Sequence, residues 1–133
     1  MDYHLPIIIL EGNMTIKKKI KIWKNNYVYK QVERIILPDF NQSEIERLEV
    51  EFSGRVQKVG FRLEIYLLAK KLGLTGFAEN LPNGKVLMEV QGEREKIDFL
   101  LEFMKGLIRA KVEKVIIKKM DKISREDSFI ITE

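Results

Sequence analysis

SGRVQKVGFR, residues Ser53 to Arg62, decides the reading of this chain. On its N-terminal side Leu48, Val50 and Phe52 alternate with Glu49 and Glu51, the period of a half-buried strand. On its C-terminal side Phe61, Ile65, Leu68, Ala69 and Leu72 recur at helical spacing, and Gly73 supplies a stop. The ten residues thus form a short loop from a strand into a helix N-terminus. Such a loop presents unpaired N–H groups and the positive end of the helix dipole, a setting suited to a phosphate. Arg62 can add a planar fork of charged donors to the same anion. Gly54 and Gly60 permit backbone angles that turn several amides toward one centre.

Working outward, the spacing predicts a strand over 47–53, a helix over 62–72 and a strand over 74–80. Pro82-Asn83-Gly84 is a strong turn signal before a strand over 85–91, so these two strands pair as an antiparallel hairpin. A second helix is predicted over 93–105, with Ile97, Leu100, Leu101, Met104 and Ile108 as its apolar stripe, interrupted by Gly106, followed by strands over 112–120 and 128–132. The order is β-α-β-β-α-β with one further strand. It is an α+β, ferredoxin-like sandwich with both helices on one face of a mainly antiparallel sheet.

The same residues resemble the acylphosphatases, whose signature runs G-x-V-Q-G-V-x-F-R, followed after the first helix by glycine, an aromatic, valine, any residue and asparagine. Gly54, Val56, Gln57, Val59, Phe61 and Arg62 match the first part, and Gly76, Phe77 and Asn80 the second. LPNGKV (81–86), VQG (90–92) and the C-terminal SFIITE extend the likeness in order, over roughly residues 46–133. One residue departs: Lys58 stands where the family has glycine, and a left-handed backbone there costs a lysine roughly 1–2 kcal/mol.

The resemblance implies metal-independent hydrolysis of the carboxyl-phosphate bond of small acyl phosphates, without a cofactor. It assigns the phosphate to the backbone of Gln57, Lys58, Val59, Gly60 and Phe61 together with the Arg62 side chain, and the attacking water to Asn80. An amide side chain carries both a donor and an acceptor, which suits orienting water. By itself an asparagine before a turn is ordinary; its place in the second motif decides for the catalytic role. The competing reading is a non-catalytic anion-binding or protein-interaction module on the same fold.

Composition removes other classes. The chain has no cysteine, hence no thiolate nucleophile or disulfide framework, and its single histidine, His4, excludes a multi-histidine metal centre. The apolar run in MDYHLPIIIL is too short for a signal peptide or a membrane span, so the expected location is cytoplasmic. A net charge of +4 gives a modest attraction to anions.

Residues 1–45 lie outside the resemblance and form an N-terminal extension to the domain at 46–133. Ile20-Lys21-Ile22 and Tyr27-Val28-Tyr29 around Asn25-Asn26 suggest a β-hairpin, and Ile35-Ile36-Leu37 a further short strand. The extension is therefore expected to be β-rich, packed on its own domain or on a second copy as a homo-oligomer contact, and dispensable for the site. The basic, aromatic stretch from Thr15 to Tyr29 could face nucleic acid. Alternation on a two-faced strand, with Ile16, Ile20 and Ile22 packed inward and the lysines solvated, explains it better, and no paired aromatics of an RNA-binding sheet are present. Glu64, Glu93, Glu95 and Asp98 read as helix-surface charges.

Overall fold

The computed structural model describes the backbone of residues 16–132 and the side chains of residues 18 and 25–132. The elements are α1 (Ile16–Glu33), β1 (Ile45–Arg55), α2 (Phe61–Leu72), β2 (Thr75–Asn80), β3 (Val86–Glu93), α3 (Arg94–Lys105), β4 (Lys111–Met120) and β5 (Phe129–Thr132). The strands form one sheet in the order β4-β1-β3-β2-β5, antiparallel throughout except for the β2–β5 pair. From β1 onward this is the expected ferredoxin-like α+β arrangement with its additional strand.

One apolar layer joins sheet and helices. Leu48, Val50 and Phe52 of β1 are buried, as are Val86, Met88 and Val90 of β3, against Phe61, Ile65, Leu68 and Leu72 of α2 and Ile97, Leu100 and Met104 of α3. Phe61 meets Phe52 edge-to-face with ring centroids 5.0 Å apart. Such a pair contributes about 0.5–1.5 kcal/mol beyond area burial, and it fixes the first residue of α2 over the end of β1. The loop between them has little freedom left. At its start, β1 and β4 shift register between Ser53 and Gly54. Gly54 meets two needs there: its backbone holds φ 121°, a conformation that favours glycine, and a Cβ on it would lie 2.1 Å from the Lys111 carbonyl oxygen.

The extension departs from the sequence-based expectation. Residues 16–33 form a helix, not a β-hairpin; Asn25 and Asn26 lie inside it, and residues 35–37 form no strand. The sequence supports both periods, because Ile20/Ile22 and Tyr27/Tyr29 alternate while Val28 and Val32 stand one helical turn apart. Tertiary burial decides between them. Val28 is 1% and Val32 5% exposed, and burying each is worth about 1.5–3 kcal/mol, more than the helix-propensity cost of a β-branched residue, up to about 0.7 kcal/mol. The inward facing expected of Ile16, Ile20 and Ile22, and the readings of Thr15 and His4, lie outside the described residues. The C-terminus of α1 is held by Lys71 of α2, whose Nζ donates to the carbonyls of Val32 (3.0 Å), Glu33 (3.2 Å) and Ile35 (2.5 Å). A cation on the last carbonyls of a helix complements its dipole.

The 43–44 segment caps α3 from a distance. Ser43 Oγ accepts from the Glu95 amide at 3.1 Å, its own amide donates to Glu93 Oε1 at 3.2 Å, and the Arg94 amide donates to the Glu44 carbonyl at 2.9 Å. Among the described residues no helix is long and apolar enough to cross a membrane.

Candidate functional site

The register of the sheet brings the two sequence motifs to the same end. Phe52 pairs with Val86, and Val86 pairs in turn with Asn80, so Asn80 lies in the row next to the point where β1 runs into the loop. One step further, Glu79 pairs with Thr132 of β5. Three hydrogen bonds stitch the loop and α2 to this edge. The Gln57 side-chain amide donates to the carbonyls of Leu81 and Lys85, each at 2.8 Å, which clamps the loop onto the β2–β3 turn. Arg62 Nη1 donates to the Thr132 carbonyl at 2.6 Å. Gln57, Arg62 and Asn80 therefore converge on one end of the sheet.

The loop backbone carries two left-handed residues. Lys58 has φ 64° and Gly60, the residue before α2, has φ 76°. Alternating handedness of this kind turns successive amides toward a common side. Among the described residues, the backbone amides of Gln57, Lys58, Val59 and Gly60 donate to no other backbone carbonyl, and α2 adds the amides of its open first turn. Lys58 is exposed, while Val56 and Phe61 are buried and anchor the loop at both ends. Asn80 terminates β2, and its side-chain Oδ1 is buried without a hydrogen-bond partner among the described residues. An unpaired buried acceptor costs about 1–3 kcal/mol, and carrying that cost at the end of β2 marks Asn80 as a candidate for a functional role. Among the described residues no three His, Cys, Asp or Glu side chains cluster as metal ligands.

Behind the loop lies a polar cluster that the sequence did not reveal. Glu64, expected on the helix surface, is 0% exposed and pairs with Arg109 Nη2. It lies on the same stripe as Phe61 and Leu68, and that spacing was the available signal. Burial raises its carboxyl above the usual range, and the hydrogen bond and charge of Arg109 oppose the rise without cancelling it. Arg109 also donates through Nε to the Val59 carbonyl at 2.9 Å and through Nη1 to Gln31 Oε1 at 2.7 Å, and its guanidinium lies 5.5 Å from the Tyr27 ring centroid. Nothing in the local sequence around Arg109 marks it out.

Comparison with known proteins gives relatives over the same part of the chain. A family model described as Acylphosphatase matches residues 48–131. The acylphosphatase of Clostridium beijerinckii is 46% identical over 79 residues, covering 59% of this chain and 88% of that protein. The acylphosphatase of Clostridium acetobutylicum is 39% identical over 88 residues, covering 65% of this chain and 97% of its relative. The crystal structure of the Bacillus subtilis acylphosphatase superposes with a TM-score of 0.62 at 25% identity, over 68% of this chain and all of that one.

Proposed function

The chain belongs to the acylphosphatase family, and from that premise we propose that it hydrolyses the carboxyl-phosphate bond of small acyl phosphates at the 54–62 loop. The observation that carries the proposal is the loop backbone: amides at 57–60 without backbone carbonyl partners among the described residues, two left-handed residues, and a helix N-terminus directly behind. In this reading the amides of Gln57, Lys58, Val59, Gly60 and Phe61 hold the phosphoryl oxygens. The Arg62 guanidinium, oriented by its bond to Thr132, places its remaining donors on the same group and follows the charge into the transition state.

Asn80 holds the attacking water in line with the departing carboxylate. That Oδ1 has no hydrogen-bond partner among the described residues supports that role, because an amide side chain offers both an acceptor and a donor with which to orient a water. Water oxygen bonds to phosphorus as the bond from phosphorus to the acyl oxygen breaks, and the water proton passes to a phosphate oxygen of the substrate. The leaving group is a carboxylate, so no general acid is required. Positioning and electrostatic stabilisation supply the acceleration.

The test is hydrolysis of a simple aryl acyl phosphate, with and without chelator, beside the Arg62→Ala variant. Chelator-insensitive turnover by the wild type and none by the variant is the expected result. Phosphate binding without turnover would favour instead a non-catalytic anion-binding module, a reading that the departure at Lys58 motivates. Turnover abolished by the chelator would sink the metal-independent mechanism.

A further inference from the structure

The N-terminal helix has no counterpart in the 48–131 family match, yet it reaches the back of the phosphate loop. Two contacts make the connection. The first is direct packing: a Cβ placed on Gly60 would come within 3.0 Å of Val28 Cγ2, so α1 lies against the left-handed residue that turns the loop into α2. The second runs through Arg109. Its guanidinium bonds the Val59 carbonyl inside the loop, the buried Glu64 carboxylate on α2, and the Gln31 amide oxygen on α1, with Tyr27 of α1 beside it.

We propose that Arg109 is a positioning residue for the phosphate loop, and that α1, by holding this guanidinium through Gln31 and Tyr27, is built into the catalytic scaffold. The physical reason lies in peptide geometry. The carbonyl of Val59 and the amide of Gly60 belong to one planar peptide unit. Holding the oxygen on the Arg109 side fixes the direction of the N–H on the opposite side, toward the anion. A charged donor does this more firmly than a neutral one. Glu64 supplies the countercharge that keeps the guanidinium in place under the loop. Gln31 and Tyr27 close the remaining side, where a cleft bordered by Phe103 and Leu107 would otherwise leave Arg109 other rotamers.

The inference rests on the loop being the phosphate site, and its test separates the two claims. Three variants are compared with the wild type: Arg109→Met, the double variant Glu64→Leu/Arg109→Met, and Gln31→Ala. The single Arg109 variant strands a buried carboxylate and is expected to lose stability. The double variant replaces the pair by apolar groups and restores folding, but it still frees the Val59 carbonyl.

Backbone 15N order parameters at residues 57–60 should fall from the rigid range, about 0.85, toward the flexible range, below about 0.6, in the double variant and fall less in Gln31→Ala, with β1 and β3 unchanged. KM for an aryl acyl phosphate and the inhibition constant of inorganic phosphate should rise in step, roughly ten- to hundredfold. A double variant with wild-type loop order parameters and wild-type KM would overturn the inference, leaving Arg109 as only a countercharge for Glu64. Unchanged loop order parameters and KM in Gln31→Ala would remove α1 from it. A wild type that neither hydrolyses acyl phosphate nor binds phosphate would instead defeat the functional reading, and the order parameters would still judge the hold of Arg109 on the loop.

Discussion

Arg62 Nη1 donates to the carbonyl oxygen of Thr132 at 2.6 Å, joining the start of α2 to the last strand of the sheet. The bond uses one face of the guanidinium for orientation and leaves the others for a ligand. It follows that β5, a strand of four residues at the sheet edge, bears on the proposed site as well as on the core.

Arg62→Ala should abolish detectable turnover, with a loss on the order of 10³–10⁵ in kcat, as for removal of a charge-bearing donor in phosphoryl transfer. The thermal midpoint should change little, because the side chain is only partly buried. Steady-state kinetics and a thermal melt on the same preparation check both halves. Activity within a few-fold of wild type would show that the anion is held elsewhere.

Asn80→Ala should lower kcat on the order of 10²-fold while inhibition by inorganic phosphate stays near its wild-type value, because the side chain is assigned to water and not to the anion. The measurement is a paired determination of kcat and the phosphate inhibition constant. If the two weaken together, Asn80 is a phosphate ligand or a support for the loop.

The contrast between the two ends of the chain has a physical cause. From β1 onward, each sequence pattern had a single reading: the alternation of Leu48, Val50 and Phe52, the helical stripe from Phe61 to Leu72, and the turn at Pro82–Gly84 all agree with the observed elements. In residues 16–33 the apolar positions fit both a strand and a helix, and only the burial of Val28 and Val32 against the rest of the protein chose. Gln57, Arg62 and Asn80 could be singled out because they match the two motifs of the family resemblance, and the register of the sheet brings them to one end. Arg109 could not be, since a loop residue carries no period, and the place of Glu64 on the stripe of Phe61 and Leu68 signalled burial but not the distant partner that makes it tolerable.

Lys58→Gly should stabilise the protein by about 1 kcal/mol, because Lys58 holds φ 64°, a conformation glycine adopts without a Cβ clash. The same change removes an exposed ammonium from the rim of the loop. Substrate capture should then become less sensitive to salt, while kcat rises if strain had loosened the cradle. Thermal melts and kcat/KM measured across a range of ionic strength decide the matter. A variant both less stable and less active would mean that the loop is built around lysine.

The acid stability of the fold should depend on Glu126. This carboxylate binds Arg47 in a two-pronged pair, Nη1–Oε1 at 2.8 Å and Nη2–Oε2 at 3.2 Å, while Arg47, 2% exposed, also donates to Glu89 at 3.0 Å. Burial pushes the Glu126 carboxyl up, but hydrogen bonds from Arg47 and Thr75 outweigh it and hold the group below the usual glutamate range. The folded state thus binds this proton less readily than the unfolded chain does. Its contribution to stability is present above the ordinary glutamate pKa and is lost as pH falls through the lowered folded value. Glu64 has the opposite sign, since its raised carboxyl contributes stability that is lost as pH rises through its folded value. A comparison of wild type with Glu126→Gln isolates the first effect, because Glu64 is common to both. At neutral pH the variant should be less stable by about 1.5–3 kcal/mol, the worth of hydrogen bonds to a charged group, with Glu89 retained as partial compensation. The gap should close as the wild-type carboxylate protonates. Urea denaturation at pH 7 and pH 3 measures it, and a gap equal at both values would show that the charge on Glu126 contributes nothing to the fold.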